Sequence, residues 1–92
     1  MIIAKVEHFI KEGSQEEYLE LVADLCEQMK AFDASGRRLV SLAAPNENHL
    51  LLEFSSMDSF KDWHNSPEHG EIKQRLMAII SKKPFNTKFK VA

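Results

Sequence analysis

The feature that most constrains this chain is the order in which its apolar spacing changes. "IIAKVEHFI", residues 2–10, is rich in β-branched residues and roughly alternating, as a strand with one covered face should be. After "KEGS" the spacing becomes three and four. Tyr18, Leu21, Val22, Leu25, Met29 and Phe32 then share one helical face. Ser14 and Glu17 stand at capping-box spacing before that helix, and Gly36 in "DASG" is placed to end it in the left-handed conformation. "RRLVSLAAP" and "NHLLLEFS" read as two strands of a hairpin joined by "PNEN". Ser56 or Asp58 caps a short helix carrying Met57, Phe60 and Trp63. That helix breaks at "HNSP", where Ser66 caps a further helix, Pro67 opens it, and Ile72, Leu76, Ile79 and Ile80 give it an apolar stripe. "KKP" closes it, and "FNTKFKVA" alternates as a last strand.

The order is therefore β-α-β-β-α-β, with its second helical region divided. This is the ferredoxin-like α+β arrangement, a four-stranded antiparallel sheet with helices on one face, and it occupies residues 1–92 as one domain. Each strand has one distinctly apolar set: Val40 and Leu42; Leu50, Leu52 and Phe54; Phe85, Phe89 and Val91. The alternate sets, such as Ile3, Lys5, Glu7 and Phe9 or His49, Leu51 and Glu53, are mixed. The pattern leaves open which set meets the helices. Helices cover only one face, so a second partly apolar face calls for another subunit, and a homodimer is expected. Small size points the same way, since a chain of 92 residues buries only about 60–65% of its unfolded surface.

A net charge of -2 argues against a nucleic-acid or acidic-membrane partner. No run approaches the roughly 20 apolar residues of a membrane span. The start "MIIAKVEHFIKEG" is too short in apolar residues for a secretory signal, and Cys26 is the lone cysteine, which together suit the cytoplasm. There is no Cys-x-x-Cys, P-loop, Gly-x-Ser-x-Gly or Rossmann glycine pattern, and "NHLLLEF" lacks the stacking aromatics of RNA-binding sheets.

Chemistry-bearing residues concentrate in "FKDWHNSPEHGEI", Phe60 to Ile72. His64 and His69 are five apart, whereas two metal ligands on one helical face need a spacing of three or four, so no metal site is expected. His69 falls in the first turn of a helix, where the dipole favours neutral imidazole and hence a general base; the alternative is a solvent-facing residue at a helix start. Trp63, aligned with Phe60, is either a core anchor or the wall of a pocket. His8 and His49 lie on strands, facing a cavity or solvent.

Two stretches, "VEHFIKEGSQEEYLEL" and "LLLEFSSMDSFKDWHNSPEH", resemble the antibiotic biosynthesis monooxygenase family of small dimeric α+β barrels. The resemblance implies two subunits packed sheet to sheet, each with a pocket between its own sheet and helices. It implies oxidation of a small aromatic or quinol-type molecule by dioxygen without metal, flavin or haem. His69 or His64 would act as acid or base, and Trp63, Phe60 and His8 would shape the substrate pocket. A haem-degrading branch shares the fold. Trp63 matches that branch's tryptophan, but Lys73 stands where it has a histidine ligand and Val6 or His8 where it has an asparagine. Haem degradation is therefore not expected. In the wider family a histidine often stands at the position of Trp63, so only His69 carries over directly. Many relatives of this fold have no established activity, which keeps a non-enzymatic small-ligand-binding or interaction domain on the same dimeric barrel as the alternative.

Overall fold

Alternating β-branched residues build β1 (Ile2–Ile10), and the three- and four-residue apolar spacing builds α1 (Gln15–Met29). A 3₁₀ turn (Lys30–Phe32) extends α1, followed by β2 (Ala34–Leu39), β3 (Asn48–Phe54), α2 (Met57–His64), α3 (Pro67–Met77) and β4 (Ile80–Lys90). This computed structural model describes all 92 residues. The four strands form one antiparallel sheet in the order β2-β3-β1-β4, and the three helices pack on one of its faces.

The register decides which residues meet the helices. Ile2, Ala4, Val6 and His8 stand opposite Phe54, Leu52, Leu50 and Asn48, and all eight are buried. Against them lie Tyr18, Leu21, Val22, Leu25 and Met29 of α1, Trp63 of α2 and Ile72 of α3. On β4 the same face carries Asn86, Lys88 and Lys90, because they pair with Val6, Ala4 and Ile2. Phe85 and Phe89 pair with Glu7 and Ile3 on the open face, where they remain 68% and 49% exposed. The apolar sets of β3 and β4 thus lie on opposite sides of the sheet, which alternation alone could not reveal.

Several local expectations are corrected. Chain reversal after α1 occurs at Asp33, which is left-handed at φ 53°, rather than at Gly36. Gly36 lies inside β2, where a Cβ would sit 3.1 Å from Leu52 Cδ2, 3.1 Å from Met29 Sδ and 3.2 Å from Cys26 Sγ. Its missing side chain lets α1 approach the sheet closely. Starting at Ala34, β2 ends at Leu39, so Val40 and Leu42 lie beyond it and Leu42 is 99% exposed. The Ser14 hydroxyl makes no capping bond; Gly13 at φ 85° turns the chain, and the Ser14 carbonyl accepts from the Tyr18 amide. The serine caps of α2 and α3 do form. Ser56 Oγ accepts from the Ser59 amide, and Ser66 Oγ accepts from the His69 amide, each at 3.1 Å. Helix α3 ends at Met77, so buried Ile79 is a connector and Ile80 opens β4 rather than extending the helical stripe. "KKP" lies within β4, and Pro84 is tolerated because β4 is an edge strand whose register shifts there.

Candidate functional site

Between the sheet and the helices lies a cavity of about 200 Å³. Its floor is apolar: Val6 of β1, Leu50 and Leu52 of β3, and Leu21 and Leu25 of α1. Its wall is the segment singled out from sequence. All five expected site residues, His8, Phe60, Trp63, His64 and His69, border this one space.

The serine-capped break between α2 and α3 produces the wall. It turns the chain so that the end of one helix and the start of the next present their rings together. The Trp63 and His69 centroids are 4.0 Å apart, and those of His64 and His69 are 5.5 Å apart. The His64 ring stacks on Phe60 at 5.5 Å and 16°. Trp63 is both core anchor and wall, for it is buried against Phe54 at 5.3 Å and also borders the cavity. Its indole Nε1 donates to Gln28 Oε1 at 3.0 Å, which fixes the ring's orientation.

His69 is half-buried, and its pKa is lowered to about 4, first by burial and then by its neighbours His64 and Lys73. The expected direction is found, with burial rather than the helix dipole as its leading cause. Its Nδ1 is buried without a hydrogen-bond partner, which leaves Nε2 as the accessible nitrogen. His8 is buried, and burial lowers its pKa to about 4 as well. Its Nδ1 lies 2.8 Å from the hydroxyl of fully buried Tyr18, whose own ionisation burial pushes upward. A buried phenol must donate its proton, and His8 Nδ1 is its one partner. The hydroxyl therefore donates to Nδ1, and His8 carries its own proton on Nε2. The site thus holds two neutral imidazoles near pH 7, one with its tautomer set by α1.

Sequence reasoning missed Tyr18, Gln28, Asn86 and Lys88, and it treated Lys73 only as a misfit to a haem ligand. Tyr18 read as one more apolar position of α1; the signal available was that a buried tyrosine hydroxyl requires a partner. Asn86 and Lys88 reach the cavity through the β4 register. His49 is elsewhere, on the open face. There its Nε2 meets Glu47 Oε1 at 3.1 Å, and ligand atoms of Glu7, Glu47 and His49 lie within 4.8 Å of one another. The three cavity histidines form no comparable cluster.

The arrangement sets neutral imidazole nitrogen beside the rings of Trp63 and Phe60 at one cavity. The model of the antibiotic biosynthesis monooxygenase family matches residues 1–75. The chain belongs to that family. The family's fold is also evident in solved structures. A protein described as an antibiotic biosynthesis monooxygenase superimposes with a TM-score of 0.83 at 13% identity, over 100% of this chain and 99% of its own. A Caulobacter crescentus protein named for the same family gives 0.87 at 14%, over 99% and 89%. A conserved protein of Methanosarcina mazei gives 0.82 at 18%, over 98% and 92%. At such identities these likenesses establish the fold alone. No functionally curated protein matches the sequence. No helix is long and apolar enough to cross a membrane.

Proposed function

We propose that this family member is a monooxygenase acting without a cofactor on a small aromatic or quinol-type molecule, with the helix–sheet cavity as its active site. The observation that carries the reading is His69: a neutral imidazole with one accessible nitrogen, set against Trp63 at a cavity with an apolar floor. An engineered apolar cavity of about 150 Å³ accepts benzene, so about 200 Å³ has room for one or two rings.

In this reading His69 takes a proton from the bound phenol or its keto tautomer and leaves electron density on a ring carbon. That carbon bonds to dioxygen, and the returned proton completes a hydroperoxide. Loss of water then leaves a carbonyl, so one oxygen atom enters product, the other leaves as water, and the substrate supplies all the electrons. His8 Nε2–H donates to the substrate oxygen, while Trp63, Phe60 and the leucine floor exclude water. His64, stacked on Phe60 at the surface, is placed to return the proton. The test is oxygen uptake with a panel of naphthols and hydroquinones. Uptake above the enzyme-free rate that is unchanged by a chelator is expected; uptake abolished by the chelator would overturn the cofactor-free reading.

The open sheet face supports a homodimer. Phe85, Phe89 and Val91 are 68%, 49% and 48% exposed, and Ile3, Leu39 and Leu51 share that face with Phe85 and Phe89. A stable interface removes about 1,000 Å² or more, and a second copy packed sheet to sheet would cover these rings. Sedimentation at micromolar concentration should give twice the 10.6 kDa chain mass, and a monomer would refute the barrel.

A further inference from the structure

The charge around the cavity is one-sided. None of its lining residues is a carboxylate, yet two are lysines, Lys73 of α3 and Lys88 of β4. In a chain with 14 acidic and 12 basic residues, this is a local departure from the net balance. Neither lysine joins any of the four ion pairs, Lys30–Glu27, Arg37–Glu53, His49–Glu47 and Arg75–Asp24. Both are exposed, so they stand at the rim rather than the floor. Lys88 is held on the helix side by its pairing with Ala4, and its Nζ lies 5.6 Å from the centre of the Phe60 ring. Lys73 lies one helical turn beyond His69, close enough for its charge to disfavour the imidazolium. Two cations from two different elements thus flank the same aromatic wall with no partner of opposite sign.

We propose that the molecule entering this cavity carries an anionic oxygen, carboxylate or phenolate, which Lys73 and Lys88 hold at the rim while its one or two rings lie against Phe60 and Trp63. The proposal rests on reading the cavity as a substrate site and adds the charge of what enters it. It also resolves a difficulty in the chemistry. An imidazole that titrates near 4 is a weak base toward a phenol whose own pKa is near 10. Two nearby cations favour the phenolate over the phenol and so lower the ring oxygen's share of that cost, while Lys73 also works against the imidazolium. The other titratable groups at the cavity are His8, His64 and His69, none of them acidic.

Trp63 is the chain's only tryptophan and borders the cavity, so its fluorescence reports occupancy. Titration with 2-naphthoate and with neutral 2-naphthamide compares one ring system with and without charge. The acid should bind about tenfold tighter at low salt, the scale of one hydrogen bond to a charged group. Added salt should narrow the gap. Lys73→Met/Lys88→Met should abolish the preference, and Lys73→Arg/Lys88→Arg should keep it. A second arm uses 4-nitrophenol, whose coloured anion reports its own ionisation. Its bound midpoint should fall to lower pH in the wild type but not in the methionine variant. A preference for naphthoate without a nitrophenol shift would support a carboxylate, and the reverse would support a phenolate. Equal binding of acid and amide with no nitrophenol shift, a preference that survives the methionine variant, or no response from Trp63 to any probe would overturn the proposal. Charge preference without oxygen chemistry would sink only the monooxygenase reading, and oxygen chemistry without charge preference would sink only this one.

Discussion

Replacing Tyr18 by phenylalanine removes one oxygen atom and tests how the site is built. The Tyr18 hydroxyl reaches from α1 to His8 on β1 at 2.8 Å, and the two side chains are 0% and 7% exposed. Phenylalanine keeps the ring and its edge-on packing, 5.4 Å between centroids and 68° between planes, so no cavity larger than an oxygen opens. The loss is the net hydrogen bond plus the desolvation of His8 Nδ1, which then has no donor. Together these come to about 1–3 kcal/mol. For a chain of this size each kcal/mol corresponds to roughly 4–8 °C in Tm. A double-mutant cycle with His8→Leu isolates the pair. In the leucine background the phenol is itself buried without a partner, so Tyr18→Phe should be neutral or stabilising there. Calorimetry of the four proteins measures the coupling. An unchanged Tm for Tyr18→Phe alone, or the same loss in both backgrounds, would refute the reasoning.

Acid should weaken the fold through the same histidine. His8 titrates near 6.5 when unfolded and near 4 when folded, so below pH 6.5 the unfolded chain binds a proton that the folded chain refuses. Stability is therefore full above about pH 6.5, declines toward pH 4 and levels off below it. His8 accounts for roughly 3 kcal/mol of the decline, and His69 acts in the same sense. Denaturant midpoints that stay flat from pH 7 to 4.5 would contradict this. Trp63→Ala should cost about 3–5 kcal/mol, because the indole is buried against Phe54 whatever it does for a ligand. His69→Ala, by contrast, should leave Tm nearly unchanged, since Ser66 and Pro67 already start α3 and the imidazole makes no hydrogen bond. Thermal scans of both variants decide it.

The element order could be read from the sequence because each apolar set repeats at the period of its own element, as in Leu50, Leu52 and Phe54 or Tyr18, Leu21, Val22 and Leu25. The break at Ser66 and Pro67 was equally legible, since its chemistry is local. What could not be read depends on contacts distant in sequence. Asp33 and Gly36 both suit the left-handed region and glycine is the commoner choice there, so local chemistry points to Gly36 and starts β2 three residues later than Ala34. On β4, phenylalanines and lysines alternate evenly, and only pairing with β1 sends Phe89 outward and Lys88 toward the cavity. The cationic rim was invisible for that reason. The His8–Tyr18 bond likewise exists only once α1 has docked on the sheet, and the alternation of β1 leaves open which of its faces α1 covers.

The most direct test of the account is the fate of dioxygen. With isotopically heavy dioxygen and a naphthol or quinol substrate, wild-type protein should yield a carbonyl product carrying one heavy oxygen atom, the other being recovered in water. His69→Ala, folded to the same Tm, should form that product about 10²-fold more slowly, the scale expected for loss of a general base. Product oxygen drawn from water, or equal turnover by wild type and His69→Ala, would contradict the account.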